Sequence, residues 1–132
     1  MLALQYHSRY LGVDIFLLVG IGMQPVTEEK PICLQSAVKN TIEMLGKSHV
    51  LEILYFLSRR EGPVRFNELK RELSITATTL SRRLEEFIEF ELVTREVFAE
   101  VPARVEYSCS RKGKTLGPVL RHLFEWVDNN KP

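Results

Sequence analysis

The sequence predicts a mainly α-helical fold with one small β-hairpin, and three observations predict it. The run "ELKREL" is separated by only a tight turn, Ser74 to Thr76, from "ATTLSRRLEEFIEFE", so a short helix leads at once into a second. The stretch "FAEVPARVEYSCSRKGKTLGPVL", Phe98 to Leu120, joins two alternating apolar runs through a tip containing Pro102 and passes directly into another helix. That last helix carries Leu116, Val119, Leu120, Leu123, Phe124, Trp126 and Val127. They span an arc of about 160° at about 100° per residue, wider than one core-facing seam requires. This order is that of a winged helix-turn-helix with N- and C-terminal dimerisation helices.

Composition sets the bounds. A chain of 132 residues, 45% apolar and 27% charged, can bury one real core and reads as a single soluble domain. Its net charge of +1 does not announce a polyanion partner, so any basic surface must be made by local segregation. Two cysteines, Cys33 and Cys109, without a convincing secretory signal point to a reducing compartment, the cytoplasm. At the N-terminus, "LGVDIFLLVGIGM" is apolar from Ile15 onward but far short of the roughly 20 residues a membrane span needs. Arg9 alone makes no basic n-region and no A-x-A cleavage pattern follows, so no membrane partner and no signal peptide is expected. Residues 1–26 read either as an ordered accessory arm or as an upstream extension with Met23 as the natural start. The domain proper is 27–132.

The elements follow in order. In "LQSAVKNTIEML", Leu34, Val38, Ile42 and Leu45 recur at helical spacing, and Gly46 supplies a stop. Ser48 is placed to cap "HVLEILYFLSRR", whose apolar residues run nearly all round, as a buried central helix requires. Gly62 and Pro63 end it, and "VRF" is a short extended link to the helix that begins near Asn67 and offers Leu69 and Leu73 to the core. The next helix, about 76–90, places Ala77, Leu80, Leu84, Phe87 and Ile88 on one face and Thr78, Thr79, Arg82 and Glu86 opposite. In the hairpin, about 93–109, Val105 and Tyr107 alternate with Glu106 and Ser108. Gly117 and Pro118 are expected to kink or restart the last helix, because proline cannot donate the intrahelical bond.

These faces suggest a chemistry. A helix that enters a major groove N-terminus first would bring Thr76, Thr78, Thr79, Arg82 and Arg83 to base edges and phosphates. Glu85, Glu86 and Glu89 would repel phosphate, which limits insertion to the first two turns. Arg104 at the hairpin tip is placed for a minor groove or a phosphate, with Arg95 a weaker candidate. The competing reading has Arg104 paired with Glu96 or Glu106. The partner is then double-stranded DNA. The alternative is a winged helix used for protein–protein contact, which would more often show apolar residues on that face. His7, His49 and His122 are scattered, and there is neither a C-x-x-C nor a glycine-rich phosphate loop. No catalytic residue, metal site or cofactor is expected, and the chain does not read as an enzyme.

From Cys33 to Trp126 the chain resembles the HxlR-type winged helix transcriptional regulators. The shared features are a cysteine before the first helix, "LGK" before the central helix, "RFNELKREL", "TTLSRRLEEF", "EVPARVEYS" and the late "EW". It departs after Lys47, where that family commonly has tryptophan and this chain has Ser48. The resemblance implies a dimeric, non-enzymatic DNA-binding regulator. Leu34, Val38, Leu123, Trp126 and Val127 are the candidate dimer contacts; the alternative is that the last stripe only closes the monomer core. Cys33 resembles in position the cysteine with which some of these regulators sense oxidants or electrophiles, and its alternative role is a small apolar residue packed between dimer helices. A small-molecule or oxidant effector is compatible with this reading.

Overall fold

The computed structural model describes residues 30–132, so the two readings of residues 1–26 and the position of Met23 lie outside the described residues. The chain divides after Gln35. Ahead of that point, Ile32–Leu34 form one 3-10 turn, in which Leu34 N donates to Pro31 O at 2.8 Å. Gln35 is extended (ψ 133°), which interrupts the helical periodicity that begins at Leu34. Leu34 therefore lies outside the first helix, contrary to the expected boundary.

The body, from Ser36, begins with α1 (Ser36–Leu45), which ends where Gly46 N donates to Ile42 O. The central helix α2 (Val50–Arg59) buries Val50, Ile53, Leu54 and Leu57, as its apolar circumference requires. Its entry differs from expectation. His49, in the left-handed region at φ 64°, occupies the capping position without a side-chain bond to the helix backbone, and the Ser48 hydroxyl and carbonyl oxygen instead face Arg83.

The expected link "VRF" contains a strand, β1 (Val64–Arg65), followed by α3 (Phe66–Leu73). Ser74, at φ 52°, turns the chain into α4 (Ala77–Glu89) and lets Ile75 enter the core. Leu80, Leu84 and Phe87 of α4 are fully buried, but Ala77 and Ile88, expected beside them, are exposed, because at about 100° per residue they lie at one edge of the apolar arc, away from the side that Leu80, Arg83 and Phe87 turn to the body. After the turn at Glu91 come β2 (Val93–Phe98) and β3 (Arg104–Cys109). The sheet is antiparallel in the order β1-β3-β2, with Val64 opposite Tyr107 and Val93 opposite Cys109, so the hairpin is tied to the body by a third strand.

The last helix, α5 (Arg111–Asn129), is capped by Ser110, whose hydroxyl accepts from Gly113 N at 3.0 Å. It runs through Pro118 as one element rather than restarting there. Two glycines explain its close seating. A Cβ at Gly113 would stand 2.2 Å from Leu92 O and 2.6 Å from Cys109 Sγ, and one at Gly117 would stand 2.8 Å from Ser58 Oγ on α2.

Candidate nucleic-acid interface

The first two turns of α4 hold two cations and no acid, for residues 76–83 read "TATTLSRR". Thr76 begins the helix. Its hydroxyl oxygen accepts from Thr79 N at 3.3 Å and donates to Thr79 Oγ1 at 3.0 Å, so both threonines are engaged in shaping the N-terminus. Thr78, Ser81 and Arg82 are exposed on the same side. The free N–H groups and dipole of a helix start favour an anion there, and two outward hydroxyls with one outward guanidinium add donors of the kind that phosphates and base edges accept.

Arg83 departs from the expected placement. It is only 9% exposed and points back into the body, where its Nε donates to Ser48 O at 2.9 Å and its Nη1 pairs with Glu86 Oε2 at 2.8 Å. Neighbouring positions on a helix differ by about 100°, so Arg82 and Arg83 fall on opposite sides of the boundary between surface and core. Glu86 is likewise drawn in, since its Oε1 accepts from Lys47 Nζ at 2.8 Å. Burial acts to raise the Glu86 pKa, but the hydrogen bonds and charges of Lys47 and Arg83 outweigh it and hold the carboxyl below its ordinary value.

Arg104 is also corrected. It opens β3 opposite Phe98 rather than standing at the tip, which comprises residues 99–103 with Val101 fully exposed. Its guanidinium lies 4.0 Å over the Phe98 ring and within 3.3 Å of both Glu100 and Glu106. Of the two competing partners expected, Glu106 is engaged and Glu100 takes the place of Glu96. Positions 104 and 106 share one face of the strand; Glu96 is on that face too, but it is paired with Glu106 and so lies diagonal to Arg104, at a longer reach. Arg65, opposite Glu106 on β1, approaches the same carboxylate at 3.9 Å.

Between the start of α3, Ser81 and the hairpin runs an open groove of about 820 Å³, lined by Arg65, Asn67, Arg71 and Arg104 among others. Sequence reasoning missed Arg65, Asn67 and Arg71. The available signal was "RFNELKREL", whose cations recur beside a helix start, but only the fold brings them against Ser81 and the wing.

On α5, Leu120 and Phe124 serve the monomer core, Phe124 meeting Tyr55 edge-on at 5.1 Å. Val119, Leu123, Trp126 and Val127 remain exposed, as do Ile42 on α1 and Leu34 in the 3-10 turn, while Val38 is half-buried. One face of α5 thus packs on the body and the other is left exposed. Cys33 is exposed; Cys109 is half-buried, with Sγ 3.6 Å from Leu92 O. Burial pushes the Cys109 thiol pKa up, against a smaller opposing pull from Lys114. Among the described residues no helix is long and apolar enough to cross a membrane.

Comparison with known proteins gives a consistent set of relatives. The family model for the HxlR-like helix-turn-helix matches residues 44–132. An HTH-type transcriptional regulator of Halalkalibacterium halodurans is 40% identical over 92 residues, covering 69% of this chain and 80% of that protein. One from Methanothermobacter thermautotrophicus is 38% identical over 108 residues, covering 81% and 79%. Among solved structures, the reduced form of the transcriptional regulator YodB from B. subtilis superposes with a TM-score of 0.63 at 29% identity, covering 74% of this chain and 95% of that one. The redox regulator HypR in its reduced form superposes with a TM-score of 0.63 at 35% identity, covering 73% and 94%.

Proposed function

Because this chain belongs to the HxlR-like helix-turn-helix family and is a transcriptional regulator of that kind, we propose that it acts as a homodimer that binds DNA sequence-specifically. In this reading the first two turns of α4 enter the major groove and the hairpin lies along the adjacent groove or backbone. One observation carries the proposal: the acid-free N-terminal half of α4 presents Thr78, Ser81 and Arg82 outward beside a groove lined by Arg65 and Arg71. A protein-binding winged helix would place large apolar residues there, and these two turns expose none. Exposed Leu123, Trp126 and Val127 supply an apolar face for a second copy, which would set two recognition helices against two half-sites.

The test is footprinting on DNA upstream of the protein's own gene. Protection of a pseudo-palindrome with half-site centres about 10–10.5 bp apart, or a multiple of that, is the expected result. Charged replacements at Leu123 and Val127 should weaken the dimer and operator binding together. A protein that is monomeric at micromolar concentration and keeps full operator affinity would contradict this arrangement.

Exposed Cys33 supports a second, narrower reading, in which oxidants or electrophiles change operator affinity through this thiol. Both free thiols fit a reducing compartment, the cytoplasm. Diamide should modify Cys33 before half-buried Cys109, and Cys33→Ser should abolish any change in operator affinity while leaving reduced-state binding intact. Equal affinity with and without oxidant would leave Cys33 no sensing role.

A further inference from the structure

Among the described residues, Arg83 is the charged side chain that the body buries. All three of its nitrogens are engaged: Nε with Ser48 O at 2.9 Å, Nη2 with Ser48 Oγ at 3.4 Å and Nη1 with Glu86 Oε2 at 2.8 Å. Glu86 passes the connection on to Lys47 at 2.8 Å. Lys47 and Ser48 form the corner between α1 and α2, so two adjacent corner residues are fastened to two residues one helical turn apart on α4.

A guanidinium is a planar, rigid fork, and one that bonds a backbone carbonyl through one edge and a carboxylate through another fixes both the rotation of a helix about its axis and its distance from the neighbouring element. Lysine, a point charge on a flexible stem, constrains neither. We propose that Arg83 is a positioning residue for DNA reading, which sets the rotation of α4 against the α1–α2 corner and thereby couples the placement of α1 to that of the base-reading side chains. Arg83 touches no DNA in this role. Exposed Arg82, the next residue, reaches a base edge in the required geometry only while Arg83 holds the helix. The role rests on the DNA-binding reading above and assigns Arg83 a different part from the direct contact that its sequence position suggests.

The experiment uses the full chain and the Arg83→Met variant, with dissociation constants for the footprinted operator and for random-sequence DNA of equal length, each over a range of salt, and with thermal unfolding in parallel. Operator affinity should fall by about 10-fold or more, while random-sequence affinity and the salt slope stay at wild-type values. Arg83→Lys should fail to restore operator affinity, since it keeps the charge but not the fork. Parallel loss on both DNAs with a salt slope lower by about one unit would make Arg83 a phosphate contact and overturn the proposal. Lower thermal stability with unchanged operator affinity would overturn it too, leaving a packing role. Should Arg83→Met not fold, Glu86→Gln and Lys47→Met provide the test, with a smaller selective loss expected and unchanged operator affinity in both counting against the coupling. A wild-type protein without sequence preference would sink the DNA-reading function itself, whereas a selective wild type with an equally selective Arg83→Met variant would sink only the positioning role.

Discussion

The start of α4 and the wing each carry two arginines, in different company. Residues 76–83 hold Arg82 and Arg83 without an acid, whereas residues 93–109 hold Arg95 and Arg104 with Glu96, Glu100 and Glu106. On the helix, a rotation of about 100° between neighbours separates the two arginines, so that one faces solvent and the other is built into the body. On the wing, the period of two collects Arg104 and Glu106 on one face, and Phe98 and Glu100 complete the enclosure. The charge of Arg104 is thus met within the protein, and what it can offer an anion is reduced accordingly, whereas Arg95 stays exposed. The same residue type does three jobs here, and its immediate neighbours decide which.

The largest expected effect lies on the helix side. Arg82→Ala should weaken operator binding by about 1–3 kcal/mol if Arg82 reads a base, with a smaller change on random-sequence DNA. Titrations of both DNAs would measure this, and equal losses on the two would reassign Arg82 to the backbone.

Arg104→Ala should cost less, within about 1 kcal/mol on any sequence, because an arginine that already has two carboxylate partners must exchange them for phosphate. A loss as large as that of Arg82→Ala would break the contrast between the two regions. The contrast is sharpened by Glu106→Gln, which removes one of those partners: affinity for all sequences should rise and the salt slope should steepen by up to about one unit.

The smallest effect concerns pH. With its carboxyl held below the ordinary value of 4.5, Glu86 binds its proton more readily in the unfolded chain than in the folded one. Its contribution to stability is therefore fully present above that ordinary value and is lost as pH falls through the lower folded value. Denaturant melts from neutral to acid pH should show a steeper acid loss for the wild type than for Glu86→Gln, while Glu106→Gln, on the wing, should leave that difference in place. Parallel acid profiles for wild type and Glu86→Gln would remove the carboxylate from the account.

Local chemistry was enough to place most elements. The alternation around Tyr107 marks a strand, and Leu80, Leu84 and Phe87 define the buried side of α4, although the cap expected at Ser48 falls to His49. The family was legible too, because "EVPARVEYS" and "TTLSRRLEEF" are contiguous stretches. The misplaced residues were those whose setting depends on chain distant in sequence or on a local backbone break. Leu34 fell outside α1 because Gln35 is extended, and β1 is a strand only because β3 lies beside it.

By itself, then, the sequence determined the helices and the two hairpin strands, their order, and the side of each that must be apolar, since those follow from side-chain period within a few residues. The tertiary structure alone decided between Arg82 and Arg83. A helical period gives the angle between two neighbours but not which flank of the apolar stripe another element will cover, and the carbonyl that claims Arg83 belongs to Ser48, 35 positions away along the chain.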